Sequence, residues 1–227
     1  MIGVTENLAI ISDLLAFSAV EAERKPDAVC LLAVSKKQPV SKIIEAANAG
    51  QRDFGENFVQ EGLEKIARTH ALGLTWHFIG HLQNNKTRVV AENFDWVHTI
   101  DNLKTAKRLN DQRPEALGPL NICLQLNIDQ EDGKSGIAIA ELPELAAACV
   151  ELPNLVLRGL MCLPAARTEF PDQRVPFAKL RELANKLRSG GIDTDTLSMG
   201  MSEDYRAAIF EGATIVRIGT ALFGRRN

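Results

Sequence analysis

The chain has 227 residues, 45% of them hydrophobic, and a formal net charge of −3 from 26 basic and 29 acidic side chains. Both signs are spread along it and only one tyrosine is present, so no basic stripe interleaved with aromatics marks a nucleic-acid surface. No apolar run approaches the about 20 residues that a membrane-crossing helix needs, and a globular α/β protein with a sizeable core is expected.

The opening segment, MIGVTENLAIISDLLAFSAVEAERK, has no cationic start before its apolar part. It reads as an amphipathic helix and not as a signal peptide. Leu8, Ile11, Leu15 and Val20 recur at helical spacing, and Thr5 is placed to cap the start. From Cys30 onward, apolar runs of strand character alternate with helical patterns. The runs are CLLAVS, RDFG, LTWHFIG, DWVHTI, LNICLQLN, LVLRGLMC, TLSMG and IVRIG. Such runs suit buried parallel strands, and the patterns between them, such as VSKIIEAANAG and VPFAKLRELANKLRSGG, close on Gly50, Gly190 and Gly191 as helix ends do. Eight βα units in this length fit a (β/α)8 TIM barrel, which typically takes about 250 residues. We expect one domain over residues 1–227 with an extra N-terminal helix. An open doubly wound sheet shares the same periodicity and stays as the alternative. Residues Asp129–Ile137 (DQEDGKSGI) read as a longer, mobile βα loop. Cys30, Cys123, Cys149 and Cys162 lie in apolar stretches without a C-x-x-C pair, as reduced buried thiols of a cytoplasmic protein would.

Ligands of parallel βα folds bind at the carboxyl ends of the strands. The first run ends in Ser35, Lys36 and Lys37. Alternation puts Lys36 on one face with Leu32 and Val34, and Lys37 on the other. Apolar walls and nearby cations disfavour the charged form of a lysine, and a neutral amine can attack an aldehyde. A solvated lysine before a turn is the competing reading. The last two units carry GMSEDYRAA and IGTALFG. There Ser202 stands at a possible helix cap with Glu203 and Asp204 after it, and Gly219 and Thr220 stand where a strand turns into a helix. Loops after strands 7 and 8 often hold phosphate in barrels, although each motif alone also reads as an ordinary cap or turn. Arg217, inside the strand TIVRIGT, needs partners because an unpaired buried charge is costly. Either a structural carboxylate or a ligand would serve. The histidines offer little: His77 and His81 are too far apart along a strand to share a metal, and His70 and His98 are isolated.

Together, AVSKKQP, FGENFVQE, WHFIGHLQNNK, GKSG, SMGMSEDYRAAI and VRIGTALFG resemble the YggS/PROSC family, the pyridoxal phosphate homeostasis proteins. The resemblance runs in order over nearly the whole chain. It implies a barrel similar to the N-terminal domain of alanine racemase, with pyridoxal 5'-phosphate (PLP) as cofactor. Carried over by motif, Lys36 would be the Schiff-base lysine and Asn57 would lie beside the ring. Met199 would pack near the ring, and Arg217 would face the pyridine nitrogen. Ser202, Gly219 and Thr220 would hold the phosphate. His81 and Lys134 receive no role. The implied function is intracellular PLP homeostasis without turnover, as a cytoplasmic monomer whose acceptors are PLP-dependent apo-enzymes. The alternative is a PLP-dependent racemase, which would need an acid across the ring from Lys36. Alanine racemase takes a tyrosine from a second domain for this, whereas here the chain ends after the eighth unit and Tyr205 is expected at a helix start. A class I aldolase is a weaker reading, with Glu56 as its only nearby carboxylate.

Overall fold

The computed structural model describes residues 3–131 and 133–224. After α1 (Val4–Glu21), strands and helices alternate: β1 (Cys30–Val34), α2 (Val40–Asn48), β2 (Asp53–Glu56), α3 (Val59–Thr69), β3 (Thr75–Phe78), α4 (Thr87–Asn93), β4 (Trp96–Ile100) and α5 (Leu103–Gln112). The second half continues with β5 (Leu120–Leu126), α6 (Leu142–Val150), β6 (Leu155–Cys162), α7 (Phe170–Ser189), β7 (Thr196–Ser198), α8 (Tyr205–Phe210), β8 (Ile215–Ile218) and α9 (Thr220–Phe223). The eight strands are parallel and pair in sequence order. β8 pairs back onto β1 through Cys30↔Ile215 and Leu32↔Arg217. That pairing closes a (β/α)8 barrel and removes the open-sheet alternative.

The strands' outer face packs against the helices in one large core, in which Phe54, Phe78, Phe94 and Phe177 are fully buried. Burial of each such side chain contributes about 2–3 kcal/mol. The inner face holds a smaller apolar cluster of Leu32, Ile79 and Ile215 with Cys30 and Val34 against it. Local signals set several helix ends. Asn102 caps α5 by accepting the Thr105 N–H at 2.8 Å. α7 stops at Gly190, and Gly191 follows at φ 90°.

Two details of the N-terminal helix differ from expectation. Gly3, not Thr5, precedes the first turn, and Val20 is exposed. The buried stripe runs Val4, Leu8, Ile11, Leu15, Ser18 and Ala19, because three and four residues past Leu15 share its face and five do not. The four cysteines are free thiols. Burial pushes Cys123 and Cys162 up to about 12.

Candidate functional site

The carboxyl ends of the strands open onto a cavity of about 540 Å³, within the about 300–1,000 Å³ usual for small-molecule sites. Lys36, Asn57, Ser202, Arg217, Gly219 and Thr220 all line it. Met199 does not. Ser198 points into the barrel, so alternation turns Met199 outward into the core beneath the helices, where it is fully buried. Met161 and Met201 line the cavity instead, together with Val34, Ile79 and Leu163.

Lys36 is presented by the turn that follows β1, in which the Gln38 N–H donates to the Ser35 carbonyl at 3.0 Å. Lys36 is half-buried at the cavity, whereas Lys37 is exposed. A buried brace supports this turn. The Ser35 hydroxyl donates to Glu56 Oε1 at 2.6 Å, and Lys65 Nζ donates to both the Ser35 carbonyl and Glu56 Oε1, each at 2.6 Å. Burial pushes the Glu56 carboxyl above its ordinary value, while the bonds from Lys65 and Ser35 pull it back. Glu56 is fully buried in this brace and does not line the cavity.

Asn57 follows β2 and is among the residues lining the cavity, while its Oδ1 is itself buried and has no hydrogen-bond partner. The end of β3 lies close against it. A Cβ added at Gly80 would fall 2.0 Å from the Asn57 carbonyl oxygen, so glycine is what permits the approach. Across the cavity, Gly219 and Thr220 join β8 to α9, and Ser202 lies in the turn after β7. The first turn of a helix leaves backbone N–H groups without intrahelical acceptors, and these favour an anion. Ser202 is not the cap expected of it, because α8 begins only at Tyr205 with Asp204 preceding it.

Arg217 is 4% exposed. Its Nη1–H donates to Ser198 Oγ at 2.7 Å and its Nη2–H to the Cys162 carbonyl at 2.8 Å. It makes no ion pair among the described residues. Burial lowers its pKa, with the Cys162 thiol and Asp204 opposing. Lys36, Lys134 and Arg217 thus give the cavity three cations, and no carboxylate is among its described lining residues. Lys134 also pairs with Glu131 on its own loop.

Sequence reasoning missed two histidines. His98 Nδ1 lies 2.8 Å from Ser198 Oγ, and His98 Nε2 lies 2.9 Å from His77 Nδ1. His77 Nε2 lies 3.1 Å from Asp53 Oδ1. Burial, then His77 and Arg217, hold His98 well below the ordinary imidazole value, so it is neutral. Alternation could have revealed both: each stands two residues after the first residue of its strand, and the strands are neighbours.

Residues 19–227 match the model of the alanine racemase N-terminal domain. The pyridoxal phosphate homeostasis protein of Escherichia coli K12 is 53% identical over 235 residues, covering 100% of this chain and 98% of the relative. The chain belongs to the pyridoxal phosphate homeostasis protein family. Among solved structures, PipY of Synechococcus elongatus with PLP bound is 38% identical, with a TM-score of 0.79 over 92% of this chain and 100% of that one. Alanine racemase from Corynebacterium glutamicum is 17% identical with a TM-score of 0.72. That likeness is one of fold alone, and it spans 61% of the racemase chain. The match to the domain model begins near the end of α1.

Proposed function

We propose that this chain binds PLP and acts in its homeostasis, holding the cofactor and passing it on without turning over a substrate. The observation that carries the reading is the cavity's charge. Lys36, Lys134 and Arg217 line it with no described carboxylate. The set suits an anionic ligand with polar ring substituents, and the PLP bound by PipY supports the choice.

When bound, PLP supplies an aldehyde that a lysine amine holds covalently and a phosphate that hydrogen-bond donors hold. On this reading Lys36 takes the aldehyde end. Ser202, Thr220 and the backbone at Gly219 take the phosphate. Asn57 lies beside the ring, and Arg217 meets the pyridine nitrogen. Met199 acts only from behind the wall. Arg217 is a permanent donor, so it disfavours a proton on that nitrogen. This weakens the ring as the electron sink that carbanion chemistry uses. A racemase would also need an acid facing Lys36, and the described lining residues include neither a tyrosine nor a carboxylate. An aldolase would need Glu56, which the brace already engages. The acceptors are PLP-dependent apo-enzymes, and the working unit is a single-domain cytoplasmic monomer.

The test is to incubate the protein with PLP, reduce with borohydride and locate the adduct by mass after digestion. The loaded protein is then mixed with a PLP-dependent apo-enzyme. We expect one adduct, on Lys36, and restored enzyme activity without accumulation of free cofactor. An adduct scattered over surface lysines would overturn the site. Rapid racemization or transamination that Lys36→Ala abolishes would overturn the carrier reading.

A further inference from the structure

One hydrogen-bonded line runs through the barrel interior. It joins Asp53 at the start of β2, His77 in β3, His98 in β4, Ser198 at the end of β7 and, at the cavity, Arg217 in β8. Its two ends fix its direction, since a guanidinium only donates and an ionised carboxylate only accepts. Arg217 Nη1–H gives to Ser198 Oγ, so the Ser198 proton goes to its other neighbour, His98 Nδ1. His98 then carries its proton on Nε2 and gives it to His77 Nδ1. His77 in turn gives its Nε2 proton to Asp53 Oδ1. Every donor meets an acceptor while both imidazoles stay neutral. A proton on His98 Nδ1 would leave the Ser198 hydroxyl hydrogen with no acceptor. Both imidazoles are 1% exposed or less, so water does not substitute for a missing partner.

We infer that Ser198, His98, His77 and Asp53 are positioning residues for Arg217, a directional chain that commits Nη1 to the barrel interior and so aims the remaining guanidinium donors at a ring nitrogen in the cavity. The Cys162 carbonyl commits Nη2 in the same way. Of the five N–H donors on an arginine, two are thereby used inside the protein. Ser198 is the joint, being the one group that can accept from a cation and donate to a neutral imidazole at once. The identity of the ligand rests on the PLP reading, whereas the tautomers do not.

Two measurements test this. In nitrogen-15 spectra of the ligand-free protein near neutral pH, both His77 and His98 should be neutral with the proton on Nε2. An imidazolium, or an Nδ1 proton on His98, would overturn the chain whatever the ligand. Binding is then measured with PLP and with its 1-deaza analogue, which has carbon in place of the ring nitrogen. Ser198→Ala should raise the dissociation constant for PLP about tenfold and leave that of the analogue unchanged. Ser198→Thr, which keeps the hydroxyl, should restore PLP affinity. Equal weakening of both ligands would make Ser198 merely structural, and weakening of neither would mean that the chain does not act on Arg217. Wild-type protein that binds neither ligand would instead overturn the PLP reading, and the imidazole spectra would still decide the chain.

Discussion

Lys65→Met probes the brace beneath Lys36. Lys65 is 4% exposed, and its Nζ sits 2.6 Å from the Ser35 carbonyl, Glu56 Oε1 and Glu61 Oε1. Without the ammonium, the fully buried Glu56 keeps only the Ser35 hydroxyl as a donor, since its Oε2 already lacks a partner. The cheapest escape is to take up a proton. Against an ordinary value of 4.5, protonation near pH 7 costs at most about 3.4 kcal/mol, at about 1.36 kcal/mol for each of roughly 2.5 pH units, and less to the extent that burial already raises this carboxyl in the wild-type fold. The lost bond to the Ser35 carbonyl adds about 1 kcal/mol. The sum is at most about 4–5 kcal/mol, against the about 3–5 kcal/mol typical of a broken buried pair. At about pH 5.5 the protonation costs at most about 1.4 kcal/mol, so the deficit should shrink, by up to about 2 kcal/mol. Urea unfolding of both proteins at the two pH values measures this. Adding Glu56→Gln to Lys65→Met should recover most of the loss at neutral pH, because a neutral amide needs no proton. A deficit below about 1 kcal/mol near pH 7, or one equal at both pH values, would refute the reasoning.

Gly80→Ala forces the backbones at the ends of β2 and β3 apart, since its Cβ would lie 2.0 Å from the Asn57 carbonyl oxygen. Overpacking of this kind costs about 2 kcal/mol, which a melting curve should show as a fall of roughly 4–8 °C, and an unchanged Tm would count against it. Asp129 accepts from Arg167 and from the Ala165 N–H, and these bonds hold its carboxyl below the ordinary range although burial opposes them. Its folded pKa is depressed, so its contribution is complete above the unfolded value of about 3.9 and is lost as pH falls through the folded one. Unfolding curves of Asp129→Asn should therefore show a deficit near neutral pH that vanishes in acid, and a deficit independent of pH would contradict this sign.

Fold and site were legible to different degrees. Each parallel strand is buried on both faces, so it shows in the sequence as a short apolar run, and every one of the eight runs coincides with a strand of the barrel. Closure was not legible, because the pairing of β1 with β8 joins distant segments whose apolar pattern fits an open sheet equally well. Alternation separated Lys36 from Lys37, since it depends only on the strand that precedes them. The same rule, applied past the end of β7, would have turned Met199 away from the cavity. Arg217 stood between two readings, and what separates them is the absence of a carboxylate partner among the described residues, a fact of three-dimensional packing. Spacing along one strand weighs His77 only against His81 and leaves His98 isolated, whereas His77 and His98 meet across two strands.

Barrels of this kind usually fill their interior with layers of branched aliphatic side chains. Here the inner apolar cluster is confined to Leu32, Ile79 and Ile215 with two neighbours, and a line of polar groups from Asp53 to Arg217 shares the interior. Polar groups are costly to bury unless each is hydrogen-bonded, and the fixed direction of this line is what satisfies them all. The large core between strands and helices supplies the apolar burial instead. The division has a consequence for the ligand. A carboxylate beside Arg217 would take up its donors in a bidentate pair and leave a neutral site. A serine in that place takes one donor and no charge, so the guanidinium keeps both its remaining hydrogens and its positive potential for whatever enters the cavity. The positioning chain and the affinity for an anionic ligand with a ring nitrogen are, on this account, two results of one substitution of hydroxyl for carboxylate at the end of β7.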